Sequence, residues 1–288
     1  MDSLKNCSKL RFFFFVLMLL TIALLFLFYE DLTKNLCFSA KQLAQSNSHI
    51  DPLQTEPKPL NLQEKFDRSV INNWIQTFND SAARIGTDKV TYHHYEYLYG
   101  QFLGPLRFSE INFLEIGLGC DMPYGPGKSI TLWKEFFTKA SVSVLEFNEK
   151  CAQKFVNEVK NVFTGDQSNF DVLNNIGKYG PYDVIVDDGG HSRKQQVNSL
   201  IGLWPFVKSK GFYVIEDIFT SFMPSYNDNE ETAVDVIFQL ILLLNEGKDI
   251  KAGTVLPKTI SISEQSKNIA LDLLFISCFQ RVCILNKK

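Results

Sequence analysis

The sequence predicts a doubly wound α/β domain: a mostly parallel sheet with helices on both faces and a C-terminal antiparallel hairpin, preceded by one transmembrane helix. Three observations predict it. From about residue 66 short apolar runs alternate with longer stretches of helical period, the order that builds a parallel sheet. The last two apolar runs, 273–279 and 282–285, lie too close for a crossover helix and must pair antiparallel. Near the N-terminus stands an uncharged apolar run, 12–29.

That run is closed by Glu30 and Asp31. Its 18 residues at about 1.5 Å each give roughly 27 Å, enough to cross a hydrocarbon core. No small-x-small cleavage site follows, so it reads as an uncleaved signal anchor rather than a signal peptide. It has no polar face, unlike a helix on a soluble core. Lys5, Lys9 and Arg11 precede it, which puts 1–11 in the cytosol and the rest outside or in a lumen. The expectation is a single-pass type II protein of the endoplasmic reticulum or Golgi. Residues 30–65, with Pro52, Pro57 and Pro59, read as a stem, leaving 66–288 as the folded domain.

Within 66–288, Val70, Trp74, Ile75 and Phe78 share one helical face. Asn79-Asp80-Ser81 is an N-glycosylation sequon, usable only in a lumen. Strands are predicted at 112–117, 142–147, 182–186 and 211–215, and helices at 129–137, 150–159, 195–207 and 232–244.

With 29 Lys and Arg against 32 Asp and Glu, and no basic stripe, a nucleic-acid partner is not expected. The six cysteines form no Cys-x-x-Cys pair and there are four histidines, so a structural zinc site is not expected. A hairpin centred on Gln280-Arg281 would set Cys278 and Cys283 face to face, about 4.5–5.5 Å apart. A disulfide and two buried free thiols both fit, and the free thiols are the default.

Chemistry gathers at strand ends. Leu114-Glu115-Ile116-Gly117-Leu118-Gly119 closes one strand with glycines that let backbone approach a ligand. The loop is too long for a dinucleotide fingerprint, which disfavours a pyrophosphate cradle. Glu146 ends the next strand, where an acid can accept two hydrogen bonds from ribose hydroxyls; a solvated loop acid is the plain alternative. Asp166 and Gln167 follow Gly165 as a possible adenine contact or a plain turn. Two further strands end in acidic pairs, Asp187-Asp188 and Glu216-Asp217. Adjacent parallel strands would bring the pairs together, where they repel unless a cation such as Mg²⁺ neutralises them. His191, three residues beyond Asp188, suits a general base. Helix capping by Asp188 and Asp217 is the competing explanation.

Gly86-Thr87-Asp88-Lys89 with His94 and Tyr95, the Leu-Glu-Ile-Gly loop with Ser129 and Trp133, Gly165-Asp166-Gln167, Asp187-Asp188-Gly189-Gly190-His191 and Val214-Ile215-Glu216-Asp217 stand in this order over 86–217. Together they resemble the metal-dependent class I methyltransferases typified by mycinamicin-type macrolide-sugar O-methyltransferases. The resemblance implies the class I methyltransferase fold and an S-adenosylmethionine donor lying against Glu115, Gly117, Gly119, Ser129, Glu146, Asp166, Gln167 and Asp187. It implies Mg²⁺ or a similar ion on Asp188, Glu216 and Asp217, and His191 as the catalytic base. The acceptor would be a hydroxyl of a sugar, glycan or secondary metabolite. Glu146 departs from the Asp frequent there, the 120–127 loop is long, and anchor and stem stand where those enzymes carry an auxiliary domain. A nucleotide-dependent oxidoreductase and a catalytically silent membrane-anchored binding protein are the alternatives. A homo-oligomer is compatible with the sequence.

Overall fold

In the computed structural model, which describes residues 68–246 and 262–288, seven strands form one sheet. In chain order these are β1 (Ile111–Ile116), β2 (Ala140–Glu146), β3 (Asn161–Thr164), β4 (Tyr182–Asp187), β5 (Val207–Ile215), β6 (Leu273–Phe279) and β7 (Val282–Lys287). Their spatial order is β3-β2-β1-β4-β5-β7-β6. The first five are parallel, and β7 runs antiparallel between β5 and β6. The predicted parallel sheet and terminal hairpin are both present. The tail, anchor and stem at 1–65 lie outside the described residues. Among the described residues, no helix is long and apolar enough to cross a membrane.

The helices are α1 (Arg68–Ile85), α2 (Glu96–Leu98), α3 (Lys128–Phe136), α4 (Glu149–Ala152), α5 (Phe170–Gly177), α6 (Arg193–Leu203), α7 (Ala233–Glu246) and α8 (Glu264–Asp272). Alternation along the strands sends side chains to two cores. Phe113, Val144, Val184, Val186 and Val214 face an aromatic layer of Phe78, Tyr99, Trp133, Phe136 and Phe137. Leu114, Ile116, Ile185, Tyr213 and Ile215 face Leu173, Ile176, Leu200, Leu203, Val236 and Leu240. A domain buried on both faces keeps its strand ends as the open polar edge.

Several expectations need correcting. The predicted helix at 150–159 stops at Ala152 and tightens into a 3₁₀ turn, Gln153–Phe155, although Cys151, Ala152, Phe155, Val156 and Val159 stand at helical spacing. Helices α5 and α8 were not anticipated. Each starts at a side-chain cap, from Asn169 to the Asp171 N–H and from Ser263 to the Ser266 N–H. After α2 the chain runs on as a π turn, Tyr99–Leu103, and a 3₁₀ turn, Gly104–Leu106. Strand β5 begins at Val207, four residues before the predicted start. The sequon falls inside α1, where Ser81 is buried and its hydroxyl donates to Glu135 Oε1 at 2.5 Å.

Cys278 and Cys283 oppose each other across the hairpin and are bonded, with Cα atoms 4.1 Å apart. The default of free thiols therefore gives way to the disulfide. A second disulfide, Cys120–Cys151, ties the loop after β1 to α4. Sequence spacing gave no signal for it, because its partners are 31 residues apart and meet only through the fold.

Candidate active site

The strand order reverses between β1 and β4, and ligands of open α/β sheets bind outside the carboxyl ends of strands at such a switch point. Register brings three strand ends level there: Ile116 pairs with Asp187, and Asp187 with Ile215. The loop after β1 passes very close to the end of β4. Gly117 has φ +98°, and a Cβ there would lie 2.0 Å from the Asp188 carbonyl oxygen. Only glycine fits both constraints.

On the β2 side, Glu146 accepts from the Leu118 N–H at 2.9 Å and the Asn148 N–H at 2.8 Å, one on each oxygen. Each carboxylate oxygen keeps a lone pair for a further donor. The first of these bonds ties the acid to the glycine loop, so Glu146 stands beside Gly117 and Gly119. Glu115 is fully buried and accepts from the Ser129 hydroxyl at 2.9 Å. Burial pushes its carboxyl up to about 7, opposed by the field of Lys89.

Two predicted cofactor contacts turn inward. Gln167 donates to Asp187 Oδ1 at 2.8 Å and to the Ser199 hydroxyl at 3.0 Å, and accepts from the Gly190 N–H at 2.8 Å. Its amide is thereby engaged at both ends. Asp187 is buried, and burial pushes its carboxyl up to about 6. These two brace the end of β4. Asp166 stays half-buried at the rim. Burial alone would raise its carboxyl, but hydrogen bonds, chiefly from Ser168, outweigh that and hold it below the usual range.

The second acidic group divides. Asp188, His191 and Asp217 each present one atom within 4.8 Å of the others. His191 Nε2 is 3.8 Å from Asp188 Oδ1 and 3.5 Å from Asp217 Oδ2. His191 and Asp217 hold φ of +58° and +51°, a left-handed backbone uncommon for non-glycine residues and concentrated at functional sites. Neither Asp188 nor Asp217 caps a helix. Helix α6 is capped by Ser192 with Gln195 in a capping box, and Asp217 makes no side-chain cap. The capping explanation therefore fails.

Glu216 points to the inner side. The Tyr99 hydroxyl donates to Oε1, and Lys89 Nζ lies 2.7 Å from Oε2. Lys89 also reaches Asp188 Oδ2 at 2.6 Å. Burial and Asp188 push the Glu216 carboxyl up while Lys89 pulls the other way, and the 2.7 Å contact describes the ion pair. Burial would lower the Lys89 ammonium; Asp188 and Glu216 outweigh it and hold the group well above the usual lysine range.

Nothing local in the sequence gives Lys89 a role or singles out His93. His93 Nδ1 is 3.4 Å from Asp217 Oδ1, with its side chain 13% exposed, and its ring stacks on Tyr95 and Phe219. His94, quoted in the resemblance, points outward at 61% exposed. The Tyr95 hydroxyl donates to Asp217 Oδ1 at 2.5 Å. The dipeptide His93-His94 offers two candidates, and only the fold decides which faces in.

No protein-family profile matches the chain. Over 166 residues it is 31% identical to the 8-demethyl-8-alpha-L-rhamnosyl tetracenomycin-C 2'-O-methyltransferase of Streptomyces olivaceus, covering 56% of this chain and 43% of that enzyme. Over 152 residues it is 31% identical to the mycinamicin VI 2''-O-methyltransferase of Micromonospora griseorubida, covering 51% and 37%. The chain thus spans less than half the length of these curated relatives. The solved MycE methyltransferase from the mycinamycin biosynthetic pathway, in complex with Mg, SAH and mycinamycin VI, superposes with a TM-score of 0.61 at 24% identity, covering 73% of this chain and 53% of that one. The chain has the class I methyltransferase fold. Both of these curated relatives are O-methyltransferases. On that fold, Glu146 and the glycine loop form one half of the candidate site, and Asp188, His191 and Asp217 form the other.

Proposed function

We propose that this chain transfers a methyl group from S-adenosylmethionine to a hydroxyl of a sugar, glycan or sugar-bearing metabolite, with a Mg²⁺-type ion at the acid cluster. The observation that carries this reading is the grouping of Asp188, His191 and Asp217 at the switch point, beside a glycine loop tied to Glu146. Hard carboxylate oxygens beside an imidazole suit a small divalent ion. A dinucleotide oxidoreductase would want a pyrophosphate cradle that the long 120–127 loop does not offer.

When bound, the donor supplies an electrophilic methyl group and the ion supplies Lewis acidity at the acceptor oxygen. The chain's own residues do the rest. Glu146 accepts the ribose hydroxyls, and Gly117 and Gly119 admit the donor close to the backbone. Asp188 and Asp217 offer oxygens on the open side, with Glu216 as the third acid behind them. His191 takes the acceptor hydroxyl's proton on Nε2. His93, Phe219 and Tyr226 give the site aromatic walls, suited to an acceptor with an apolar face.

Donor binding tests the reading by calorimetry with and without Mg²⁺. The chain should bind S-adenosylmethionine, and Glu146→Ala should weaken it. Two hydrogen bonds to a charged acceptor disappear, each worth about 1.5–3 kcal/mol. A folded variant with unaltered affinity would remove Glu146 from the site, and no binding by the parent chain would remove the donor.

For location we propose the lumenal side of a secretory membrane. Lys5, Lys9 and Arg11 ahead of the apolar run support that orientation. Two disulfides in the domain fit an oxidising compartment. In intact microsomes the domain should resist added protease, and alkylation before reduction should leave Cys120, Cys151, Cys278 and Cys283 unlabelled. Digestion without detergent, or four labelled thiols, would put the domain in the cytosol.

A further inference from the structure

Lys89 is buried, with 2% of its side chain exposed. A lysine ammonium in that position is costly unless it is paired and hydrogen-bonded. Its Nζ sits between two of the acids assigned to the ion, 2.6 Å from Asp188 Oδ2 and 2.7 Å from Glu216 Oε2. The Tyr95 N–H donates to the Lys89 carbonyl oxygen at 2.9 Å, which fixes its backbone. The ammonium also lies 5.6 Å from the centre of the Trp133 ring. Asp188 is therefore shared: Oδ2 is bound to Lys89 while Oδ1 faces His191. Glu216 is engaged on both oxygens, by Tyr99 and by Lys89.

From this geometry we propose that Lys89 is a built-in counter-cation that sets the divalent-ion affinity of the acid cluster and positions its inner oxygens. The proposal rests on the reading of Asp188, Glu216 and Asp217 as an ion site. Of the three acids assigned to the ion, Lys89 is paired with two and offsets one negative charge. A fixed positive charge at hydrogen-bond distance from two of the acids must oppose a second cation on the same carboxylates. In exchange, it keeps the acids from repelling one another apart. Lys89 is a positioning residue, since at 2% exposure its Nζ does not face the open side where an acceptor would lie.

The two roles predict opposite signs. If Lys89 merely held the fold together, Lys89→Met would loosen the cluster and weaken ion binding. As a counter-cation, its removal strengthens binding. Calorimetry of the full chain with MgCl₂ should give Lys89→Met an affinity on the order of tenfold or more above the parent. Its melting temperature in EDTA should fall below the parent's and recover when Mg²⁺ is added. Should Lys89→Met fail to fold, the comparison moves to Glu216→Gln against the double variant Lys89→Met/Glu216→Gln. That pair loses the acid and then the base of one ion pair, and the double variant should bind Mg²⁺ more tightly than the single one. Unchanged or weaker binding in the Lys89 variants, with a parent that binds, overturns the counter-cation alone. A parent that binds no Mg²⁺ overturns the ion site, and the counter-cation with it.

Discussion

Chelation with EDTA should remove methyl transfer by this chain, and Mg²⁺ in excess should restore it. Polarising an acceptor oxygen with a divalent ion is worth several kcal/mol, so the loss should be on the order of 10³-fold or more. Asp217→Asn should reproduce the effect permanently. The substitution is isosteric, and Asn tolerates the left-handed backbone that Asp217 adopts at φ +51°, so the fold should persist. What disappears is a charge that a neutral amide cannot replace in balancing the ion. The Tyr95 hydroxyl and His93, both directed at Asp217 Oδ1, would still have an acceptor in the amide oxygen. Initial rates with radiolabelled donor, in EDTA and then in a Mg²⁺ series, make the measurement. Undiminished turnover in EDTA would sink the ion's role, leaving the fold and the donor site standing.

The order of elements was legible because strand and helix periods differ so plainly in 111–146 and 182–215. The convergence of Asp188 with Asp217 was legible too. Consecutive parallel strands usually neighbour one another, and β4 and β5 do. What the sequence did not reveal depends on side-chain direction. Asp187 and Asp188 are adjacent, yet Asp187, the last residue of β4, is buried under Gln167, and Asp188, the first residue past the strand, is partly open to solvent. Glu216 and Asp217 divide just past the end of β5. Glu216, the first residue past β5, turns inward to Tyr99 and Lys89, while Asp217 adopts a positive φ and turns to the open side. Nothing local in 86–91 says that the Lys89 side chain will reach Asp188, 99 residues away. His93 was passed over for its neighbour. The Cys120–Cys151 bond was invisible because it needs β1 and β2 side by side before the two sulfurs can meet.

His191→Ala should lower turnover by roughly 10²–10⁴, the usual worth of a general base, while leaving donor affinity unaltered. Two roles for His191 are open to the geometry, and this variant separates them. As the base, its Nε2 accepts the acceptor's proton and the acids alone hold the ion. As a third ligand, its Nε2 stands in for Glu216, whose oxygens are engaged by Lys89 and Tyr99. The base reading expects Mg²⁺ affinity in the variant to match the parent; the ligand reading expects affinity and turnover to fall together. Backbone strain must be kept apart from both, because His191 sits at φ +58° and alanine is disfavoured there. His191→Asn supplies that control, since Asn accepts the left-handed region more readily and its amide is no base. We expect His191→Asn to melt near the parent, to bind Mg²⁺ and S-adenosylmethionine as the parent does, and to be as slow as His191→Ala. Turnover near the parent's in His191→Asn would take the proton away from His191. The acceptor's proton would then have to leave by another group on the open side, where His93, 3.4 Å from Asp217, is the next candidate.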